Sequence, residues 1–149
     1  MDYAITLTPG TNGWAELKIG DFEASVSYLT DVPFDCLLAM EIVNEHGTDL
    51  TLSFDTEGKG DIKLIADEYS TFVIQEGDPA TLTQVIVSKD EIMRCLYHQL
   101  KDNIELWANW TPDAEEILPS GEPNFKLRTN MIRLRLDAIG IALGQLPTT

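Results

Sequence analysis

The chain is expected to fold as α+β: an antiparallel sheet of about six strands, two helices packed on one of its faces, and a third helix near the C-terminus. Three observations predict this. The stretch from Ser88 to Trp110 has helical periodicity and a capped start. The middle of the chain is a succession of short alternating segments joined by polar turns, and turns that short require antiparallel neighbours, because parallel strands need crossovers of about a dozen residues. The hydrophobic content, 44% of 149 residues, is enough for one core and one domain over 1–149.

The helix over 88–110 is the organising element. Ser88 and Glu91 form a capping box, each side chain placed to satisfy a backbone N–H of the first turn. Ile92, Leu96, Leu100, Ile104 and Trp107 recur at helical spacing with Met93 and Tyr97 beside them, while Arg94, His98, Lys101, Asp102 and Glu105 fall on the opposite side. Pro112 pushes Thr111 out of helical geometry and ends the run.

Ahead of it the chain opens with a strand over 4–8 and a loop through Pro9-Gly10-Thr11-Asn12-Gly13. Trp14–Ile19 and Phe22–Leu29 follow as a hairpin around Gly20-Asp21. Thr30-Asp31-Val32-Pro33 has the chemistry of a helix start, an oxygen-bearing cap followed by an early proline. A helix over 33–45 is predicted, with Phe34, Leu37, Leu38 and Ile42 on its buried side and Gly47 closing it. Strands at 50–54, 62–66, 70–76 and 81–87 complete a meander.

Residues 1–110 thus hold the sheet and two helices. Residues 111–125, with three of the seven prolines, form a loop, and 126–149 form a basic amphipathic segment. Met131, Ile132, Leu136, Ile139 and Leu143 predict a short helix there, although Leu134-Arg135-Leu136 also alternates in the strand manner. This segment folds back on its own domain, docks on a membrane surface or a partner, or pairs with a second copy to make a homodimer; folding back is the favoured expectation.

Charge is the most unusual property. The formal net charge is -15, and it is uneven: residues 1–125 carry 24 acidic and six basic side chains, residues 126–149 one acidic and four basic. A direct nucleic-acid partner is excluded, because binding phosphate requires Lys and Arg to displace counterions. No apolar run is long enough to span a bilayer and Met1-Asp2-Tyr3 begins no secretory signal, so a cytoplasmic location and no membrane partner are expected. Cys36 and Cys95, far apart and in predicted helices, read as buried reduced thiols.

Chemistry-bearing motifs are sparse. His46 and His98 lack the neighbours of a catalytic dyad, and no Cys/His spacing suits zinc. The turn Asp55-Thr56-Glu57-Gly58-Lys59-Gly60-Asp61 gathers carboxylates but departs from the calcium-loop pattern, and is expected to be a hairpin turn. No cofactor, metal or catalytic residue is expected. Two acidic groups remain as candidates for meeting a basic protein partner: Asp21, Glu23, Asp31 and Asp35, and then Asp113, Glu115 and Glu116.

The order of these features, a Trp-led hairpin from Trp14 to Leu29, a helix carrying Leu37-Leu38, the Ser53-Phe54-Asp55 turn with Glu57-Gly58, a meander and a long amphipathic helix, resembles that of small acidic bacterial proteins. These include uncharacterised families and immunity proteins of toxin systems. The likeness is one of layout over residues 14–110, and no functional residues carry over with it. It implies a cytoplasmic protein that neutralises or holds a basic partner, such as a toxin, by surface complementarity. The rival expectations are a self-associating assembly domain and, more remotely, an enzyme or small-molecule-binding domain.

Overall fold

The computed structural model describes residues 3–10 and 13–144. Thr11 and Asn12 of the first loop, Met1 and Asp2 of the N-terminus, and residues 145–149 lie outside it. The fold is α+β with antiparallel sheets, but the strands divide into two sheets rather than one. β1 (Ile5–Pro9), β2 (Trp14–Ile19) and β3 (Phe22–Ser27) make a three-stranded sheet in that order. β4 (Leu50–Phe54), β5 (Ile62–Ala66), β6 (Thr71–Gln75) and β7 (Thr81–Val85) make a four-stranded meander. Between the two meanders the chain runs through α1 (Val32–His46). Local periodicity specifies each strand but not the sheet it joins, and that long excursion is what separates them.

Alternation sets which face of each strand is buried. Ile5 and Leu7, Ala15, Leu17 and Ile19, Leu50, Leu52 and Phe54, and Ile62, Leu64 and Ala66 all turn into one continuous core. The sheets are tied at one point, where Ser27 N–H donates to Asp55 O at 2.8 Å. At the other end Gly20 of the β2–β3 turn lies against Val85.

α1 begins with Pro33 in its first turn and ends at Gly47, whose φ of 68° is the left-handed closure expected of it. Its buried side is Val32, Pro33, Cys36, Leu37, Ala39, Met40 and Val43. Phe34 is half-buried, and Leu38 and Ile42, expected in the core, are 52% and 42% exposed. Asp31 occupies the N-cap position without accepting a cap hydrogen bond through its side chain, since its carboxylate is engaged by Arg128.

The helix predicted over 88–110 is two helices. Its start is as expected: Ser88 Oγ accepts from Glu91 N–H at 3.2 Å and α2 (Lys89–Asp102) follows. At Asn103 the backbone leaves helical geometry (φ -131°, ψ 34°), and the side-chain amide donates to Gln99 O at 3.1 Å. Asparagine competes with the helix ladder in this way. α3 (Ile104–Ala108) then follows, with Trp107 completely buried.

The proline-rich stretch is a 3-10 turn (Pro112–Glu115) and a loop closed by pairing of Ile117 with Pro123. Next comes α4 (Asn124–Ala142), a 19-residue helix and not a short one, which settles 125–136 as helical throughout. It lies against α1, α2 and α3 with Ile132, Leu136, Ile139 and Leu143 buried; Met131, expected beside them, is 41% exposed.

One helix residue also finishes a sheet. Gln99, 8% exposed, accepts from Leu7 N–H at 2.5 Å through Oε1 and donates from Nε2 to Ile5 O. Its amide takes the place of a fourth strand on the outer edge of β1.

Candidate functional site

A groove opens between α1 and β4. It is lined on one side by Thr51, Leu52 and Ser53, three consecutive strand residues, so it follows the backbone edge of β4 and not either face. On the other side stand Leu38, Ala39 and Ile42, with Thr30 and Asp35 near the start of α1. This recess measures about 290 Å³. A second, of about 260 Å³, shares Thr30 and Ser53 with it and continues over Ile74 and Lys63 to Asp55, Asp61 and Glu76. The groove is apolar along α1 and acidic at the end of the sheet.

Backbone geometry holds that acidic end in place. Asp55 Oδ1 accepts from Ser27 Oγ at 3.0 Å and from Glu57 N–H at 2.7 Å, which turns the chain sharply enough for Glu57 to take a φ of 55°. The loop then crosses the end of β6. At Gly60, with φ 99°, a Cβ would sit 2.0 Å from Glu76 O, so only glycine lets the loop lie there. Glu76 N–H donates to Asp61 O at 2.9 Å, bringing those two residues side by side. The acidic turn is, as expected, a hairpin turn, the β4–β5 connection, and Asp55 and Asp61 in it stand on the groove's rim.

Asp35 is half-buried at the other end. Burial, and then the negative charge of Asp31 one turn away, push its carboxyl above the ordinary aspartate value of 3.8. The same environment pushes the fully buried Cys36 thiol far up, chiefly through burial and then through Asp35. A carboxyl with a raised folded-state pKa holds its proton more tightly folded than unfolded, so stability falls as pH rises through the interval above 3.8. Asp35→Asn is therefore expected to raise the urea midpoint at pH 7, with the advantage shrinking to nothing below the ordinary aspartate range. A variant less stable than the parent at pH 7 would refute this.

Of the residues singled out from sequence, Asp35 lines the groove and Asp31 stands beside it facing the other way. Asp31 accepts from Arg128 Nη1 at 2.7 Å and Nη2 at 3.2 Å. Arg128 is buried, stacks 4.9 Å above Phe34, and also donates to Ala108 O at 2.8 Å. Arg135, seven residues or about two turns further along α4, repeats the arrangement, paired with Glu41 and 5.6 Å from the same ring. Asp21 and Glu23 sit at the β2–β3 hairpin, away from the groove, with Glu23 3.3 Å from Lys18. Asp113, Glu115 and Glu116 are exposed near the start of α4. The predicted group of four is thus divided between three surroundings.

Sequence reasoning passed over Asp55, Asp61 and Glu76 as site residues. The signal was present in the Asp55–Asp61 turn, but nothing local indicates that Glu76 or α1 would join it. The apolar face of α4, for which sequence leaves both folding back and pairing with a second copy open, packs inside the chain through Ile132, Leu136, Ile139 and Leu143. A separate recess of about 380 Å³ lies between α3 and α4, where Glu105 faces Lys126 and Arg133. Among the described residues, no three His, Cys, Asp or Glu side chains gather as metal ligands would, and no helix is long and apolar enough to cross a membrane.

Comparison with family models, with curated proteins and with solved structures found no match to this chain. The functional reading rests on the chemistry of the groove.

Proposed function

We propose that this chain is an acidic protein-binding module that receives a basic protein partner along the α1–β4 groove, in the manner of an immunity or inhibitor protein acting in the cytoplasm. The observation that carries the reading is the groove itself: exposed Leu38 and Ile42 beside a strand edge, ending in Asp55, Asp61 and Glu76. Apolar contact supplies affinity for a partner, and a rim of one sign of charge selects a partner of the other and speeds its approach. The net charge of -15 extends that field over the whole body.

The test is capture from the native host lysate at low salt, with the full chain and an Asp61→Lys/Glu76→Lys variant as parallel baits. Both positions are exposed, so the variant keeps the fold. One basic protein is expected on the parent and released by moderate salt, since exposed charges are screened beyond about 10 Å at 0.1 M. Its association rate should fall roughly tenfold or more with the variant. Equal capture by both baits, release indifferent to salt, or no captured protein would overturn the proposal.

A further inference from the structure

Each sheet has two outer edges, and an edge strand presents unpaired N–H and C=O groups that another strand can pair with. Three of the four edges have another element set against their backbone along part of their length, whereas at β7, among the described residues, only Val85, the last strand residue, has a neighbour, the Gly20 turn. Gln99 of α2 occupies the edge of β1, the end of β3 is tied to Asp55, and β4 faces α1 across the groove. β7 pairs with β6 and, among the described residues, has no backbone partner on its other side. Its residues are the least covered of any strand: Thr81, Leu82 and Gln84 are exposed, and Thr83 and Val85 half-buried.

Nothing in the sequence defends this edge. From Pro79 to Ser88 there is no charged side chain, and the strand itself, Thr81-Leu82-Thr83-Gln84-Val85, lacks the lysine or proline that commonly blunts an edge. Leu82 is 65% exposed and Ile86, just beyond the strand, 79%. Leu82 lies beside Ile74 in the register with β6, so it extends the apolar part of the sheet's outer surface to its rim.

We propose that β7 is where two copies of this chain pair, antiparallel about a two-fold axis, joining their four-stranded sheets edge to edge. Two features make the occupant a second copy. An antiparallel edge is its own complement under a two-fold, so no second binding surface has to exist. Two chains of charge -15 repel wherever acidic surfaces meet, and the uncharged stretch 79–88 is a place where their backbones can approach without that repulsion. With the axis at Thr83, Leu82 of each copy lies opposite Gln84 of the other, on the outer surface. This inference is independent of the partner reading, and salt separates the two: screening weakens attraction to a basic partner but strengthens association between like-charged copies.

Sedimentation equilibrium of the full chain tests it, against Leu82→Lys and Ile86→Lys. For the parent, the mass should rise from 16.6 kDa toward twice that value as concentration reaches the millimolar range. The rise should be greater at about 0.5 M than at about 0.05 M salt. Leu82→Lys, which places two cations on the shared edge, should remain a monomer under the same conditions. Ile86→Lys lies outside the β6–β7 ladder and serves if Leu82→Lys disturbs the circular dichroism of the fold. A parent that stays monomeric at all concentrations and salts, or folded lysine variants that associate as the parent does, would overturn the proposal.

Discussion

Arg128→Met is expected to destabilise the fold by about 3 kcal/mol, making it one of the most damaging single substitutions available in this chain. The guanidinium is 8% exposed and does three things at once: it pairs with Asp31, caps the last carbonyls of α3 through Ala108 O and Trp107 O, and lies over Phe34. Methionine replaces the stem but none of the donors. Ala108 O is then left without its partner and Asp31 keeps a charge with no counterion. The loss stays below the upper end for buried pairs because the Asp31 side chain is 38% exposed and can rehydrate. At this chain length the melting temperature should fall by about 6–12 °C. A double-mutant cycle with Asp31→Asn should recover part of the loss, since both ends of the pair are then neutral. Strict additivity in that cycle would show that the Asp31 pair contributes nothing to the loss, and a shift under about 1 kcal/mol for Arg128→Met would show that the stem, which methionine retains, matters more than the guanidinium.

Gln99→Leu is expected to cost about 2–5 kcal/mol, from leaving a buried N–H on Leu7 and a buried C=O on Ile5 without partners. Leucine matches the volume and the helix propensity, so the loss isolates the hydrogen bonds from packing. The clearest readout is amide exchange. The Leu7 N–H should exchange far faster in the variant, while the amides of the four-stranded sheet change only in proportion to global stability. Unchanged protection at Leu7 would mean that β1 finds another partner and that the amide is dispensable.

These two positions also show what local pattern could and could not reveal. The capped start of α2 and its stripe of Ile92, Leu96 and Leu100 were legible, because capping and a 3.6-residue period are properties of neighbouring residues. Gln99 was not, since its meaning depends on β1, 92 residues away. Arg128 read as one more cation on a basic helix, yet it is the group that docks that helix onto α1. Leu38 and Ile42 fit a buried stripe at helical spacing, but α1 sits beside an edge strand and turns that part of its surface to the groove. The carboxylates at Asp55 and Asp61 were visible as a cluster, whereas Glu76 joins them only through the β5–β6 pairing. At each of these positions what was missed was a contact between elements distant in sequence, whereas the break at Asn103 rests on a bond only four residues back.

The break at Asn103 has a consequence for how this molecule can be watched. After it, the Trp107 and Trp110 rings stand edge to face at 5.3 Å, and the Trp110 indole donates to Trp14 O at 3.0 Å. The three tryptophans of the chain are thus linked by successive contacts, Trp107 to Trp110 and Trp110 to the Trp14 backbone, with Lys59 of the acidic loop 5.9 Å from the Trp14 ring. Rings held that close couple their electronic transitions, so the near-ultraviolet spectrum carries a signature of α3 in its docked position, while Trp14 emission senses the loop that forms the groove's rim. The chain thus contains its own optical reporters, one for the helical layer and one for the proposed binding surface, with no label attached.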